Sequence, residues 1–341
     1  MSAPIEAEVA IVGAGPAGTA AAAHLGRLGV RDVVLLDTHP FPRDKTCGSG
    51  VSPKGHEAYL SGGSGSDAIV CLRRTLDELI LRKAQDAGVR FVPHFTANRL
   101  LTERGRVTGV AARDGREVRA RATVIAGGTH CRLVPERKPR RLIQAIMGWW
   151  EGVPFREHHV EMVFDPMVLP LYGWLFPEGG GRVNIGIAYE DPDGTKNARE
   201  MFRRFLDRQY AKRLAHATQL GGWKGHPVAY SYRIEGLTSP GRIVVGESGL
   251  LTHPATAEGI YQGMRSGMMA AETLRDVLVS GADEAAAFAA YERRCRKTFR
   301  ASFLGGGVFR MLLKTPALDL LAKAGEQPLI RRTAARILAS L

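Results

Sequence analysis

Two short segments near the start of the chain hold residue types whose spacing suits work on a phosphate-bearing ligand. In EVAIVGAGPAGTAAAAHLGRLGVRDVVLLD, Gly13, Gly15 and Gly18 stand in GxGxxG spacing and Asp37 closes the segment. Glycine at 13 permits a tight turn, at 15 lets backbone approach a pyrophosphate, and at 18 lets a helix pack closely on a strand. The helix N-terminus then faces the phosphate charge, and an acid about 20 residues on accepts from ribose hydroxyls. Directly downstream, FPRDKTCGSGVSPKG runs from Phe41 to Gly55. It packs two prolines, three cations, a cysteine and three glycines into one loop.

A strand, a turn and a helix must position these residues. Val9 to Val12 reads as a short buried strand, the alanine-rich run from Thr19 as a helix, and VVLLD as a second strand ending in Asp37. A bare GxGxxG is weak; the flanking strand, helix and acid make this one specific. The motif itself leaves FAD and NAD(P) open. The Pro16-Ala17 filling, common in flavoproteins, and the lack of a second such motif favour FAD. Cys47, Cys71, Cys131 and Cys295 form no CxxC pair, so neither a metal site nor a disulfide framework is expected.

With 341 residues, 45% hydrophobic and 24% charged, the chain suits one large domain or two interleaved ones. No run approaches the roughly 18 apolar residues of a membrane span, and the first apolar run belongs to the fold, so a cytoplasmic protein is expected. TLDELILRKAQDA reads as a helix, the strands after it turn at Asp114-Gly115, and ATVIAGG is a buried strand. From about Arg137 to Tyr232 the chain is rich in aromatics and proline. Within it PLYGWLFPEGGGRVNIGIAYE reads as two strands joined by a glycine-rich turn. GRIVVGESGLLTHPATAEGIYQGMRSGMMAAETL then gives strand, loop and long helix. The expected organisation is an α/β, Rossmann-like FAD-binding domain over 1–135 and 236–285, a substrate domain with an antiparallel sheet over 136–235, and C-terminal helices over 286–341.

Net charge is +13, and from Tyr291 onward eleven Arg or Lys face three Asp or Glu. Stretches such as MLLKTPALDLLAKA and LIRRTAARILASL set cations beside helical apolar spacing. They read either as solvated helix faces or as a basic surface for anionic lipid head groups or an acidic substrate. No zinc-finger or RRM-type signature points to nucleic acid.

Beyond GAGPAG with Asp37, three further segments fall in order. FPRDKTCGSGVSP is close to PRxKxCGxG. YGWLFP matches YxWxFP at Tyr172, Trp174, Phe176 and Pro177. VVGESGLLTHPATAEGIYQGMRSG is close to GDAAGxxxPxxGEGI and contains Gly246, Glu247, Gly259 and Ile260. Arg73, Leu76 and Asp77 fit an RxxFD pattern. Over most of its length the chain resembles the geranylgeranyl reductase family, a branch of the flavoprotein superfamily that includes p-hydroxybenzoate hydroxylase-type monooxygenases.

The resemblance implies a glutathione-reductase-type FAD domain whose loop after the second strand passes alongside the isoalloxazine ring. Gly48 and Gly50 would let backbone meet the flat ring, and Arg43 and Lys45 would offset phosphate or reduced-flavin charge. Cys47 would stand at the reacting face, either donating a proton or shaping the cavity, with Tyr172, Trp174, Phe176 and Pro177 walling the substrate. The sequence departs from the family where GGTHC lacks the Asp of a DG segment, where Glu247 replaces Asp, and where Gly186 to Ala188 reads GIA.

The expected activity is reduction of carbon–carbon double bonds in an isoprenoid or similarly apolar substrate by hydride from reduced FAD. NAD(P)H or an external donor, such as a redox partner protein, would supply the electrons. The alternatives are a hydroxylase or a halogenase on the same fold, and a flavin-binding electron carrier without catalysis.

Overall fold

The computed structural model describes residues 3–56, 69–136 and 141–315. The part of the basic terminal run from residue 316 on lies outside them. The described residues are α/β, with one mixed sheet, a six-stranded antiparallel sheet, a two-stranded antiparallel pair and helices at the C-terminal side.

The first sheet starts from β1 (Ile5–Val12), longer than the sequence suggests because its first half alternates Ile5 and Ala7, packed on the core, with Glu6 and Glu8. After it come α1 (Pro16–Arg27) and β2 (Val33–Leu36), which is buried throughout. Next are β3 (Gly50–Val51), α2 (Pro53–His56), β4 (Ile69–Val70), α3 (Arg73–Asp86) and β5 (Arg90–Val92). An antiparallel meander follows: β6 (Ala97–Glu103), β7 (Arg106–Ala112) and β8 (Glu117–Ile125). Gly115, at φ +87°, makes the turn expected at Asp114-Gly115. β8 then joins β1 in parallel, Val124 opposite Ile11.

The chain now leaves this sheet and builds a six-stranded antiparallel one. Its strands are β9 (Leu142–Glu151), β10 (Glu161–Val163), β11 (Gly173–Gly179), β12 (Arg182–Glu190), β13 (Thr218–Gln219) and β14 (Lys224–Ala229). They are ordered β10-β11-β12-β9-β13, with β14 also on β9. Between β12 and β13 lie α4 (Ala198–Gln209) and the short α5 (Ala211–Leu214). Asn197 caps α4 by accepting from Glu200 N at 3.1 Å, and Phe202 and Phe205 bury its apolar face in the sheet's core. Gly173 gives the Phe205 ring its place, because a Cβ there would lie 2.1 Å from it.

The chain returns through β15 (Thr238–Ser239) and β16 (Arg242–Val244). β16 pairs in parallel with β8 and completes the order β15-β16-β8-β1-β2-β5. A 3₁₀ turn (Gly246–Gly249), α6 (Ile260–Leu278) and α7 (Glu284–Leu312) follow. α7 packs Phe288, Tyr291, Phe299 and Phe303 into the sheet's core, and Tyr291 Oη donates to Val244 O at 3.0 Å.

α1 and α6 approach almost backbone to backbone. A Cβ on Gly267 would lie 2.2 Å from Ala17 O, and one on Gly263 would lie 3.3 Å from Ala17 Cβ. This contact holds the start of α1 against the sheet, and backbone cannot give way cheaply there. Gly267→Ala should therefore lower unfolding free energy by about 1–3 kcal/mol, read as a reduced denaturant midpoint. Gly222→Ala, whose added methyl meets nothing within 4 Å, serves as the control.

Candidate active site and cofactor cradle

A cleft of about 530 Å³ opens at the carboxyl ends of β1 and β2, where open α/β sheets place ligands, and the antiparallel sheet forms its far wall. Of the sequence-derived site residues, Gly13, Gly15, Pro16, Ala17, Asp37, Arg43, Lys45, Cys47, Gly48, Gly50, Arg73, Tyr172, Trp174, Phe176, Gly246, Glu247, Gly259 and Ile260 line it. Gly18 and Pro177 do not. Gly18 packs helix on strand, and Pro177 sits on the bulged end of β11.

At one end of the cleft the three glycines separate by role. Gly13 turns at φ +101°, and its Cβ would strike Ala126 O at 2.4 Å. A Cβ on Gly18 would meet Gly13 O at 1.9 Å. A Cβ on Gly15 would find only Arg43 Nη2, at 3.9 Å, so that position faces open cleft. Pro16 opens α1, which has no capping side chain and no acid in its first turn, so its free N–H groups are available to an anion. Asp37 is held beside this turn. Its Oδ2 accepts from Ala14 N at 2.8 Å and its Oδ1 from His39 N at 2.9 Å.

Two guanidiniums share one buried carboxylate beneath the turn. Arg73 Nε and Nη2 donate to the two Asp77 oxygens at 2.7 Å each, and Arg43 Nη1 lies 3.4 Å from Asp77 Oδ2. Arg43 also stacks on Phe41, and its Nε is buried without a hydrogen-bond partner. Burial works against the Arg73 charge, but Asp77 and Cys47 outweigh it and raise the pKa. Arg43 Nε also lies 3.8 Å from Asp37 Oδ1. A pyrophosphate over Gly15 would meet the open N-terminus of α1 and the Arg43 guanidinium, so the residues fit a dinucleotide cofactor.

At the other end Lys45 Nζ lies 2.9 Å from His226 Nε2, and Thr129 Oγ1 lies 3.3 Å from the same nitrogen. Thr129 belongs to the GGTHC segment that lacks the expected Asp. Burial, then Arg73, lowers the Lys45 pKa. Burial, then Lys45 and His130, holds His226 down to about 3, so at neutral pH a neutral imidazole accepts from the ammonium. Glu247 Oε1 accepts from Ala229 N at 3.0 Å, which ties the turn after β16 to β14 of the far wall.

Cys47 Sγ accepts from Ser49 N at 3.3 Å and lies near Arg73 and Tyr172. The neighbours of Gly48 and Gly50 are the aromatic wall itself. A Cβ on Gly48 would lie 3.3 Å from Trp174 Nε1, and one on Gly50 would lie 3.1 Å from the Phe176 ring. Trp174 Nε1 donates to Asn184 Oδ1 at 2.6 Å, and Gly186 makes room for the indole from behind. Tyr172 Oη donates to Thr256 O at 2.5 Å. Ile260 also belongs to a small core with Val51, Leu76 and Ile80. Lining residues that sequence reasoning missed include His226, Glu258, Val160 and Met162. Val160 and Met162 are 44% and 37% exposed at the rim. Among the described residues, no group of three or more His, Cys, Asp or Glu could hold a metal.

A family profile described as FAD dependent oxidoreductase matches residues 51–262, and one described as FAD binding domain matches 6–66. The chain is 30% identical over 327 residues to a menaquinone reductase of Mycobacterium tuberculosis, covering 80% of this chain and 78% of that one. It is 26% identical to digeranylgeranylglycerophospholipid reductase 1 of Methanopyrus kandleri, covering 93% and 92%. A geranylgeranyl bacteriochlorophyll reductase-like structure from Thermoplasma acidophilum superposes with TM-score 0.82 at 21% identity, covering 94% and 91%. The flavin-dependent brominase Bmp2 shares the fold at TM-score 0.79 and 18% identity, covering 98% and 93%. The chain belongs to the FAD-dependent oxidoreductases, in the geranylgeranyl reductase family.

The purified protein should carry about one FAD per chain, through the glycine turn and Arg43. Gly15→Val should fold normally, because the new side chain meets only cleft, yet emerge colourless. A yellow variant with wild-type flavin absorbance would place the pyrophosphate elsewhere.

Proposed function

We propose that the protein reduces carbon–carbon double bonds in the polyprenyl portion of an apolar lipid. The observation that carries this reading is the composition of the cleft. A thiol, a neutral imidazole and an aromatic wall of Tyr172, Trp174 and Phe176 face one space, and that space runs out past exposed Val160 and Met162. The named activities of the relatives support the substrate class, since menaquinone and digeranylgeranyl lipids both carry prenyl chains.

Bound FAD, once reduced by NAD(P)H or an external donor, supplies a hydride. The chain's own residues supply the rest. Gly15, Arg43, Arg73, Asp37 and the N-terminus of α1 would hold the dinucleotide, and Lys45, His226 and Glu247 would set the charge at the other end of the cleft. The aromatic wall orients the alkene and keeps water out. Cys47 stands at the reacting face, where it shapes the pocket or holds a proton. The rim and the basic run together suit peripheral contact with anionic lipid; among the described residues no helix is long and apolar enough to cross a membrane.

Anaerobic turnover of dithionite-reduced enzyme with a panel of prenyl lipids and lipoquinones tests the reaction. Saturated product without oxygen is expected, whereas a hydroxylated or halogenated product that requires oxygen would overturn it. Trp174→Ala should raise KM for the lipid by about tenfold or more while flavin stays bound. Flotation with anionic liposomes should show binding that fades between low and high salt.

A further inference from the structure

The alkene reduction proposed above needs a proton as well as a hydride, and the carboxyl of Glu258, the Glu of the GEGI segment to which the sequence reading gave no role, lies in the cleft. Glu258 belongs to the loop between the 3₁₀ turn and α6. That loop is folded tightly on itself: Glu258 N donates to Thr256 Oγ1 at 3.3 Å, and Glu258 O accepts from His253 N at 2.8 Å. The side chain turns into the cleft, where Oε1 accepts from Ser52 N at 3.3 Å, across 206 residues of sequence. The groups around it are the Ser52 side chain, the Gln262 amide, Lys54, and the hydroxyls of Tyr172 and Tyr261. Lys54 is the only cation among them, and among the described residues no guanidinium fork of the kind that holds Asp77 reaches this carboxyl.

We propose that Glu258 is the proton donor of the reaction and that Cys47 shapes the pocket opposite it. Two features of geometry carry this. The Cys47 sulfur is placed as an acceptor, with Ser49 N–H and the Arg73 guanidinium turned toward it. Glu258 instead has beside it Gln262, which is 3% exposed and whose Oε1 is a buried acceptor without a donor. As placed, the Gln262 N–H group donates toward Glu258, which either protonation state accepts; with the amide turned end for end, its buried oxygen is met by a protonated carboxyl and not by a carboxylate. Burial raises the Glu258 pKa from its ordinary 4.5, and Ser52, Gln262 and Lys54 oppose that rise. The step balances. The alkene π bond is replaced by two C–H bonds, one formed with the hydride and the other with the Glu258 proton. The carboxylate left behind takes a proton from solvent.

The inference rests on the alkene reductase reading. Full-length enzyme loaded with FAD is reduced anaerobically and mixed with a prenyl lipid that wild type saturates. Glu258→Gln should keep FAD and lipid affinity within about twofold, and its single-turnover rate should fall by about 100-fold or more. The wild-type rate should decline as pH rises through the Glu258 pKa, and Glu258→Gln should lack that limb. Glu258→Asp keeps the acid and should recover part of the rate with the limb displaced. A second readout needs no turnover. A carboxyl with a raised folded pKa holds its proton in the native state over the window between 4.5 and that raised value, so wild-type stability falls as pH rises through the window. Glu258→Gln should remove that part of the fall in melting temperature. A wild type that forms no saturated product overturns both readings. An active wild type with Glu258→Gln at a similar rate, or with the pH limb intact, overturns the role of Glu258 alone. If Glu258→Gln fails to retain FAD, a Glu258→Asp enzyme with an unmoved limb overturns it equally.

Discussion

The buried carboxylate of Asp77 is the point from which the site is hung. It receives Arg73 through two hydrogen bonds and Arg43 across 3.4 Å, and it is itself fully buried. Arg73 opens α3, while Arg43 belongs to the loop after β2, so one side chain fixes the distance between helix and loop. Removing it would leave two guanidiniums facing each other in a poorly solvated space, at a cost of about 3–5 kcal/mol. With it in place, Arg43 is held over Gly15.

The far wall is joined to this frame by polar links across long stretches of chain. Lys45 reaches His226 on β14, Glu247 reaches Ala229 N on the same strand, and Tyr172 reaches Thr256 O. Each link spans the cleft between the two sheets. The Lys45–His226 contact is one in which only one partner carries charge at neutral pH, which limits repulsion among the cations already crowded there. The cleft is therefore polar where the dinucleotide's charge would lie and apolar toward β10 and β11.

Much of the cofactor cradle was legible in sequence because its geometry is local. A strand, three glycines, a helix and a terminal acid within one short run determine where an anion can sit, and the structure places Gly13, Gly15, Gly18 and Asp37 around that turn. The hairpin at Asp114-Gly115 and the strand pair around the glycine-rich turn of residues 179–181 were legible for the same reason. Glu258 was not. In AEGI it matches the Glu of the GEGI segment, but the motif says nothing of where the side chain points, and its partner Ser52 is 206 positions away. His226 was missed likewise, as its partner Lys45 lies 181 positions away. Gly48 and Gly50 were read as clearance for a flat ring. Their nearest neighbours are Trp174 and Phe176, because the antiparallel sheet folds over the loop, a tertiary fact that no spacing encodes.

That arrangement makes the Trp174 indole a shared part. It rests on Gly48 in front and Gly186 behind, and is pinned by Asn184, so wall and cofactor loop have a common hinge pin. A change in the size of this residue therefore bears on the wall first and on the packing of the loop at Gly48 second. Other lining positions carry no such double duty: Val160 and Met162 stand at the rim, away from the loop, where side chains can change size while the centre of the cleft stays fixed.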